Sequence, residues 1–246
     1  MVTTVIKQLL PGYVKHPALS TVRWYYQMLG LPAQSRTDRS IFKDVLLKLD
    51  NPEIRVFEWG SGASTVYYAE FLRAQGLKFE WHAQDNSQAW WGKVQERVAK
   101  ARLSEQVSIY CSEFPAFFEL PDYTNETPVP PEEYTNSAIA TEYVHRPKDL
   151  GGQFDVLFID GRFRRRCLQV AAEVVSANGI VILHDADRSH YLSALDIYPK
   201  VQFLETGMVP GISQTSNVAL AGLKSSNLFA EISEKYRDFW PSGKQG

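Results

Sequence analysis

The 246-residue chain is 44% hydrophobic, 22% charged and 13% aromatic, a balance that excludes a disordered, collagen-like or low-complexity protein. Its length suits one large domain or two small ones, each able to bury a core. With 26 basic against 28 acidic side chains the net charge is −2, unlike a protein built to coat nucleic acid or an anionic membrane.

In chain order, residues 1–39 hold Trp24-Tyr25-Tyr26 and read as an N-terminal helical cap. A helix expected to begin near Ser40 carries Ile41, Val45, Leu46 and Leu49 on one face. From Ile54 onward, strand-like apolar runs alternate with amphipathic helical ones, the pattern of a mostly parallel sheet covered by helices. Strands are expected at Arg55–Trp59, Phe79–Gln84, Gln106–Cys111, Phe154–Asp160, Gly179–His184, Lys200–Glu205 and Asn217–Leu223. The fourth and fifth are continuously apolar, as central strands buried on both faces are. Trp91, Val94 and Val98 line one intervening helix. Leu168, Ala171, Ala172 and Val175 line another, which Asn178-Gly179 is expected to end in a left-handed cap. Only a Pro/Gly loop separates the last two strands, so they read as an antiparallel pair at the sheet edge.

Residues 112–152, with Pro121, Pro128, Pro130 and Pro131, show no clear period. A connection this long inside a compact domain is functional or disordered. A partly ordered lid over the site mouth is expected, with a mobile surface insertion as the alternative. The main domain then spans 40–224, and 225–246 form a C-terminal tail. Two cysteines, Cys111 and Cys167, are too few for a disulfide framework or a cysteine zinc site and read as reduced core thiols. Lys7 breaks the only apolar stretch of the first ten residues, a poor secretory signal, and no run approaches the roughly 18 apolar residues of a membrane span. A soluble, cytoplasmic protein without membrane contact is expected.

The sharpest motif is Phe57-Glu58-Trp59-Gly60-Ser61-Gly62-Ala63-Ser64-Thr65, which ends a strand and opens a helix. Gly60 and Gly62 allow a tight turn close to a ligand. Ser64 and Thr65 fall in the first helical turn, where amides and the positive dipole end face outward. A dinucleotide fingerprint requires a third glycine, and Thr65 stands in its place. That disfavours a nicotinamide-dependent oxidoreductase, the less favoured reading.

With Glu58 two residues before the first glycine, the chain resembles the class I S-adenosylmethionine (SAM)-dependent methyltransferases, whose first motif is E/D-x-G-x-G. The resemblance covers about Ile41 to Leu223. It implies a Rossmann-like α/β fold with a seven-stranded, mostly parallel sheet in the order 3-2-1-4-5-7-6. It also implies SAM as cofactor, held by Glu58, Gly60, Ser61, Gly62, Ser64 and Thr65. Asp85 ends the second strand 85 − 62 = 23 positions after Gly62, close to the roughly 20 expected of a ribose-binding carboxylate. Two acceptor oxygens suit vicinal ribose hydroxyls and repel phosphate. Asn86 and Trp90-Trp91 resemble the family's adenine surround, although Trp91 is equally a core residue. Ser112 and Glu113, after the third strand, resemble its further adenine contacts.

The fourth and fifth strands deliver Asp160, His184 and Asp185 to one rim, where open α/β sheets bind ligands. These three are the candidate catalytic residues. Without a metal, His184 is expected to act as a neutral general base oriented by Asp160 or Asp185, since imidazole titrates near physiological pH. Both motifs resemble in part the small-molecule O-methyltransferases of the catechol type, which implies a divalent cation such as magnesium on Asp160 and Asp185, while their D-G-R and H-D forms resemble a bacterial branch of the class I methyltransferases. Ala186 stands where that family has an asparagine ligand, and Asp187 is the replacement at hand. Arg162, Arg164, Arg165 and Arg166 crowd a helix start that disfavours cations. Such conflicts mark functional sites. Arg162 or Arg164 would clamp an anionic substrate, or the cluster would pair with Glu119, Glu173 or other acids. Tyr143 is a further candidate for the substrate pocket.

The function these readings imply is SAM-dependent methylation of an oxygen on a small, in one version anionic, molecule. The competing class is a catalytically inactive SAM-binding regulatory or partner subunit. Nucleic acid is a disfavoured partner. A homodimer is compatible with the sequence, with Trp24-Tyr25-Tyr26 or Phe239-Trp240 as interface anchors or as core.

Overall fold

The computed structural model describes residues 30–113, 138–186, 191–208, 215–224 and 227–236. Trp24-Tyr25-Tyr26, Phe239-Trp240, Asp187 and the proline-rich stretch 114–137 lie outside the described residues.

Helix α1 (Arg36–Lys48) starts earlier than Ser40 because Ser35 and Asp38 form a reciprocal cap. Ser35 Oγ accepts from the Asp38 amide at 3.0 Å, and Asp38 Oδ2 accepts from the Ser35 amide at 2.7 Å. Next come β1 (Glu53–Trp59), α2 (Ala63–Ala74), β2 (Lys78–Asp85), α3 (Gln88–Lys100) and β3 (Val107–Cys111). The second half runs α4 (Ala138–Asp149), β4 (Phe154–Ile159), α5 (Arg164–Val174), β5 (Val175–His184) and α6 (Leu192–Leu195). Strands β6 (Lys200–Met208) and β7 (Thr215–Gly222) and helix α7 (Asn227–Lys235) complete it.

The sheet order is β3-β2-β1-β4-β5-β7-β6, as the resemblance implies. Pairings from β3 through β5 are parallel, and β7 is antiparallel to both neighbours. The alternation of strand side chains divides the core in two. Val56 and Phe158 face the layer of α1, α2, α3 and α7, with Phe42, Leu72, Val94 and Phe229. Phe57, Leu157 and Ile159 face the layer of α4, α5 and α6, with Val144, Leu168 and Leu195. Helix α7, in the expected tail, is thus part of the core through Leu228, Phe229 and Ile232. Cys167 is buried, Cys111 is half-buried, and both are free thiols. Among the described residues, no helix is long and apolar enough to cross a membrane.

The Asn178-Gly179 cap does not form. Helix α5 stops at Val174, and Val175 through Gly179 run extended into β5 past a register shift opposite Phe154 and Val156. Gly179 serves close packing instead. A Cβ there would lie 2.8 Å from Ser176 Oγ and Val175 Cγ2 and 2.9 Å from the Phe154 carbonyl oxygen. Gly179→Ala is therefore expected to destabilise the fold by about 1–3 kcal/mol, read as a lower urea midpoint at unchanged slope; an unchanged midpoint would contradict this packing.

Candidate active site

After Trp59 the chain turns at Gly60, whose φ is +100°, and passes against the loop that follows β4. A Cβ on Gly60 would lie 2.7 Å from the Gly161 amide nitrogen, so the two loops touch backbone to backbone. Beneath the turn, Glu58 is fully buried and accepts from Ser64 Oγ at 2.5 Å, Thr65 Oγ1 at 2.6 Å and Trp81 Nε1 at 3.0 Å. Burial raises its carboxyl to about 7, with the three donors opposing the rise. The Gly62 amide donates to Thr65 Oγ1 at 2.9 Å. The side chains of Glu58, Ser64 and Thr65 thus point inward and brace the loop, because they satisfy one another. What faces outward is backbone: the start of α2 and Gly62, whose Cβ would meet only Ser64 Oγ, at 3.8 Å.

Asp85 stands beside this loop at the end of β2. Its Oδ2 accepts from Ser61 Oγ at 3.0 Å and its Oδ1 from the Asn86 and Ser87 amides at 2.8 and 3.0 Å. Burial raises its pKa, and these bonds, with the charge of Arg162, oppose the rise. Trp90 donates from Nε1 to the Ser61 carbonyl at 2.7 Å and keeps part of its ring exposed. Trp91, in contrast, packs on the core and donates to the Ile109 carbonyl. Ser112 is buried, accepts from Gln84 Nε2 at 2.8 Å and donates to Glu142 Oε1 at 2.9 Å, while Glu113 is exposed next to it. Arg146 bonds both Gln84 and Glu142, so α4 is tied to the tips of β2 and β3. Of the expected lid at 112–152, the structure describes 112–113 and 138–152, most of them in this helix.

The register Ile159↔Leu183 sets Asp160 and His184 side by side at the rim. His184 Nδ1 lies 3.2 Å from Asp160 Oδ1 and 3.5 Å from Asp185 Oδ1, and Nε2 lies 3.6 Å from Asp38 Oδ2. Burial alone would lower the imidazole pKa, but the charge and hydrogen bond of Asp160, the bond to Asp38 and the charge of Asp185 raise it to about 10. The surrounding carboxylates thus favour the protonated imidazole over the neutral form in which it was expected to act as a base. Asp38 is the member that sequence reasoning missed. The Ser35-to-Asp38 spacing signals a helix cap, but not that the capping carboxylate faces β5.

Arg164, expected as a substrate clamp, has its guanidinium engaged within its own fold. The chain enters α5 through Phe163 at φ 51°, and the guanidinium folds back over the rim. Nη2 donates to Asp160 Oδ1 at 3.0 Å and the Asp160 carbonyl at 2.9 Å. Nη1 donates to the His184 carbonyl at 2.5 Å and Asp185 Oδ2 at 3.5 Å, and Nε to the Gly161 carbonyl at 3.1 Å. Arg162 is exposed, Arg165 is exposed, and Arg166 donates to Thr141 Oγ1. Glu173 pairs with Lys148. Tyr143, expected in the substrate pocket, has no exposed surface; its hydroxyl accepts from the Arg162 amide at 3.2 Å and supports the loop from below.

The residues present fit SAM: a Gly62 whose Cβ would meet only Ser64 Oγ, a helix N-terminus, and a carboxylate at the adjoining strand end. It does not fit the implied divalent ion. Asp160, His184 and Asp185 can bring ligand atoms within 4.8 Å of one another. The Arg164 guanidinium, however, already bonds both carboxylates, and Ala186, buried in the core, offers no side-chain ligand.

A family profile described as a methyltransferase domain matches residues 57–186, just over half of the chain. The chain belongs to the class I SAM-dependent methyltransferases. An O-methyltransferase of Bacillus cereus, solved in complex with SAH, gives a TM-score of 0.55 at 15% identity, covering 91% of this chain and 100% of that one. The O-methyltransferase TomG of Streptomyces achromogenes, involved in tomaymycin synthesis and solved with SAM, gives 0.51 at 14% identity, covering 90% and 96%. At these identities the likeness is one of fold. No curated protein matches the sequence.

The raised pKa of His184 makes stability depend on pH with a definite sign. Asp38, Asp160 and Asp185 face the ring, with Arg164 paired to Asp160 and Asp185, and the net attraction favours the charged form in the folded state. Its contribution is full below the ordinary value of 6.5 and is lost as pH rises through about 10. Unfolding free energy is expected to fall over that window, and His184→Gln to remove most of the fall. Equal slopes in both proteins, from urea unfolding at each pH, would place the charge elsewhere.

Proposed function

We propose that the protein transfers the methyl group of SAM to an oxygen of a small molecule. The observation that carries this reading is the contact between Gly60 and Gly161. It joins the loop that would hold the donor to the acid–imidazole cluster that would meet the acceptor. When bound, SAM supplies an electrophilic methyl group on a positively charged sulfur.

The residues divide the work. Backbone at Ser61, Gly62 and the start of α2 holds the amino-acid part of the donor, and the Asp85 carboxylate takes the ribose hydroxyls. Asn86, Trp90, Ser112 and Glu113 flank the base. Asp160 has 29% of its side chain exposed and is the group that receives the proton of an acceptor hydroxyl. Bound SAM would supply the methyl group, and the Asp160 carboxylate would take the proton that the acceptor hydroxyl gives up. His184 and Arg164 remain cations throughout and hold Asp160 in position. Arg162, exposed at the mouth, is the guanidinium through which an anionic acceptor would be held. Alignment of donor and acceptor, with water kept out, accounts for much of the rate in such a displacement.

Calorimetric titration with SAM and S-adenosylhomocysteine tests the donor site. Asp85→Ala is expected to weaken both by about ten- to a hundredfold, the worth of a charge-assisted hydrogen bond; no binding to the unmodified protein would end the methyltransferase reading. Radiolabelled methyl transfer to phenols, alcohols and carboxylic acids then tests turnover. Binding without transfer to any of them would favour the regulatory-subunit reading.

The pH profile of kcat/KM separates the two choices of base. With His184 already protonated, no limb is expected near its ordinary pKa of 6.5. A rise centred there that disappears in His184→Gln would restore the imidazole as the base.

A further inference from the structure

We propose that Arg164 is a built-in cation that occupies the place of a divalent metal between Asp160 and Asp185, so that this methyltransferase binds no ion there. The inference rests on the proposed function only for its catalytic meaning; the occupancy of the site stands on geometry alone.

Two carboxylates at adjacent strand ends repel each other unless a positive charge lies between them. The structure supplies that charge from the chain. One guanidinium nitrogen reaches Asp160 at 3.0 Å and another reaches Asp185 at 3.5 Å. The remaining donors are spent on the carbonyls of Asp160, Gly161 and His184. Planar donors in a fixed fork suit this bridging, whereas a lysine ammonium is a single point. The side chain is 9% exposed and lies over the Tyr191 ring, with 5.8 Å from the guanidinium carbon to the ring centre.

The backbone is shaped to the same end. Phe163 and Asp185, neither of them glycine, hold left-handed φ values of 51° and 52° on either side of the guanidinium. Such positions persist only where surrounding structure fixes them. A divalent ion would need about six oxygen ligands at roughly 2.0–2.6 Å. It would also have to displace the arginine or stand against its charge. Ala186 gives it no additional side-chain oxygen.

The substitution has a chemical consequence. A metal can hold two adjacent oxygens of an acceptor at once. A guanidinium whose donors are spent on the protein cannot. The acceptor then needs one reacting oxygen rather than a chelating pair, and EDTA leaves turnover unchanged.

The test uses Mn2+ as probe with the full chain, followed by the free-ion electron paramagnetic resonance signal and by thermal unfolding. The unmodified protein is expected to take up no Mn2+ at micromolar concentrations, with its midpoint unmoved. Arg164→Ala is expected to unfold at a lower temperature, to bind Mn2+ roughly tenfold more tightly or better, and to regain part of the lost midpoint when the ion is added. The further change Asp160→Asn in that variant should abolish the gain. Arg164→Lys, which keeps a charge, is expected to stay blind to the ion. Micromolar Mn2+ binding by the unmodified protein that is lost in Asp185→Asn would overturn the proposal. A folded Arg164→Ala that takes up no Mn2+ would overturn it as well. Should that variant fail to fold, the titration of the unmodified protein and of Arg164→Lys decides. SAM titration is read separately, so its failure would sink the methyltransferase reading without touching this one.

Discussion

Three carboxylates, those of Asp38, Asp160 and Asp185, converge on the imidazole of His184 at the C-terminal rim of the sheet. Acids gathered in a largely buried place are tolerable only with cations among them, because water is no longer there to screen their repulsion. His184 meets that need by holding its proton, and Arg164 meets it by folding back from the first turn of α5. The rest of the rim follows. The left-handed turns at Phe163 and Asp185, the burial of Arg164 and the inward reach of Asp38 are the geometry that this charge balance requires.

The cluster also connects the two halves of the sheet. Asp38 belongs to α1, on the face shared with α2, α3 and α7, whereas Arg164 belongs to α5 on the opposite face. Asp160 is followed by Gly161, which touches Gly60 and so meets the turn that Glu58 braces from beneath. A displacement at the rim would therefore be felt at the turn through backbone contact. A second chain of hydrogen bonds, Gln84 to Ser112 to Glu142, fastens α4 beside the end of β2. Donor-side and acceptor-side residues are thus held by two separate sets of ties, one ionic and one neutral in its central links.

The strands and both rim motifs were legible because they rest on signals that survive folding, whereas the strand order came through the family resemblance. Continuous apolar runs mark β4 and β5, and a glycine pair followed by Asp85 marks the donor side. What escaped was the direction of polar side chains. Glu58, Ser64 and Thr65 occupy motif positions, yet they bond one another below the loop, and nothing in their order along the chain distinguishes inward from outward. Asp38 lies well over a hundred residues from His184 in sequence, so only the packing of α1 reveals the pairing. Gly179 read as a helix cap because Asn-Gly is a common stop; the close approach of Ser176 and of the Phe154 carbonyl, which accounts for the glycine, is a tertiary fact.

The arginine run shows how a local conflict can locate a site while leaving its purpose open. Cations at a helix start oppose the dipole, and that disagreement signals that something other than helix stability placed them there. The run of four contains residues with different surroundings. Arg164 is withdrawn into the rim, where the carbonyls of Asp160, Gly161 and His184 and two carboxylates outweigh the dipole. Arg166 reaches α4 through Thr141, and Arg162 and Arg165 are exposed. A pattern of residue types cannot assign these parts, since each arginine is equally able to take any of them. The left-handed turn at Phe163 does assign them, because it fixes which arginine enters α5 facing the acids. The chemistry of the rim therefore depends on a backbone angle at a residue that carries no charge.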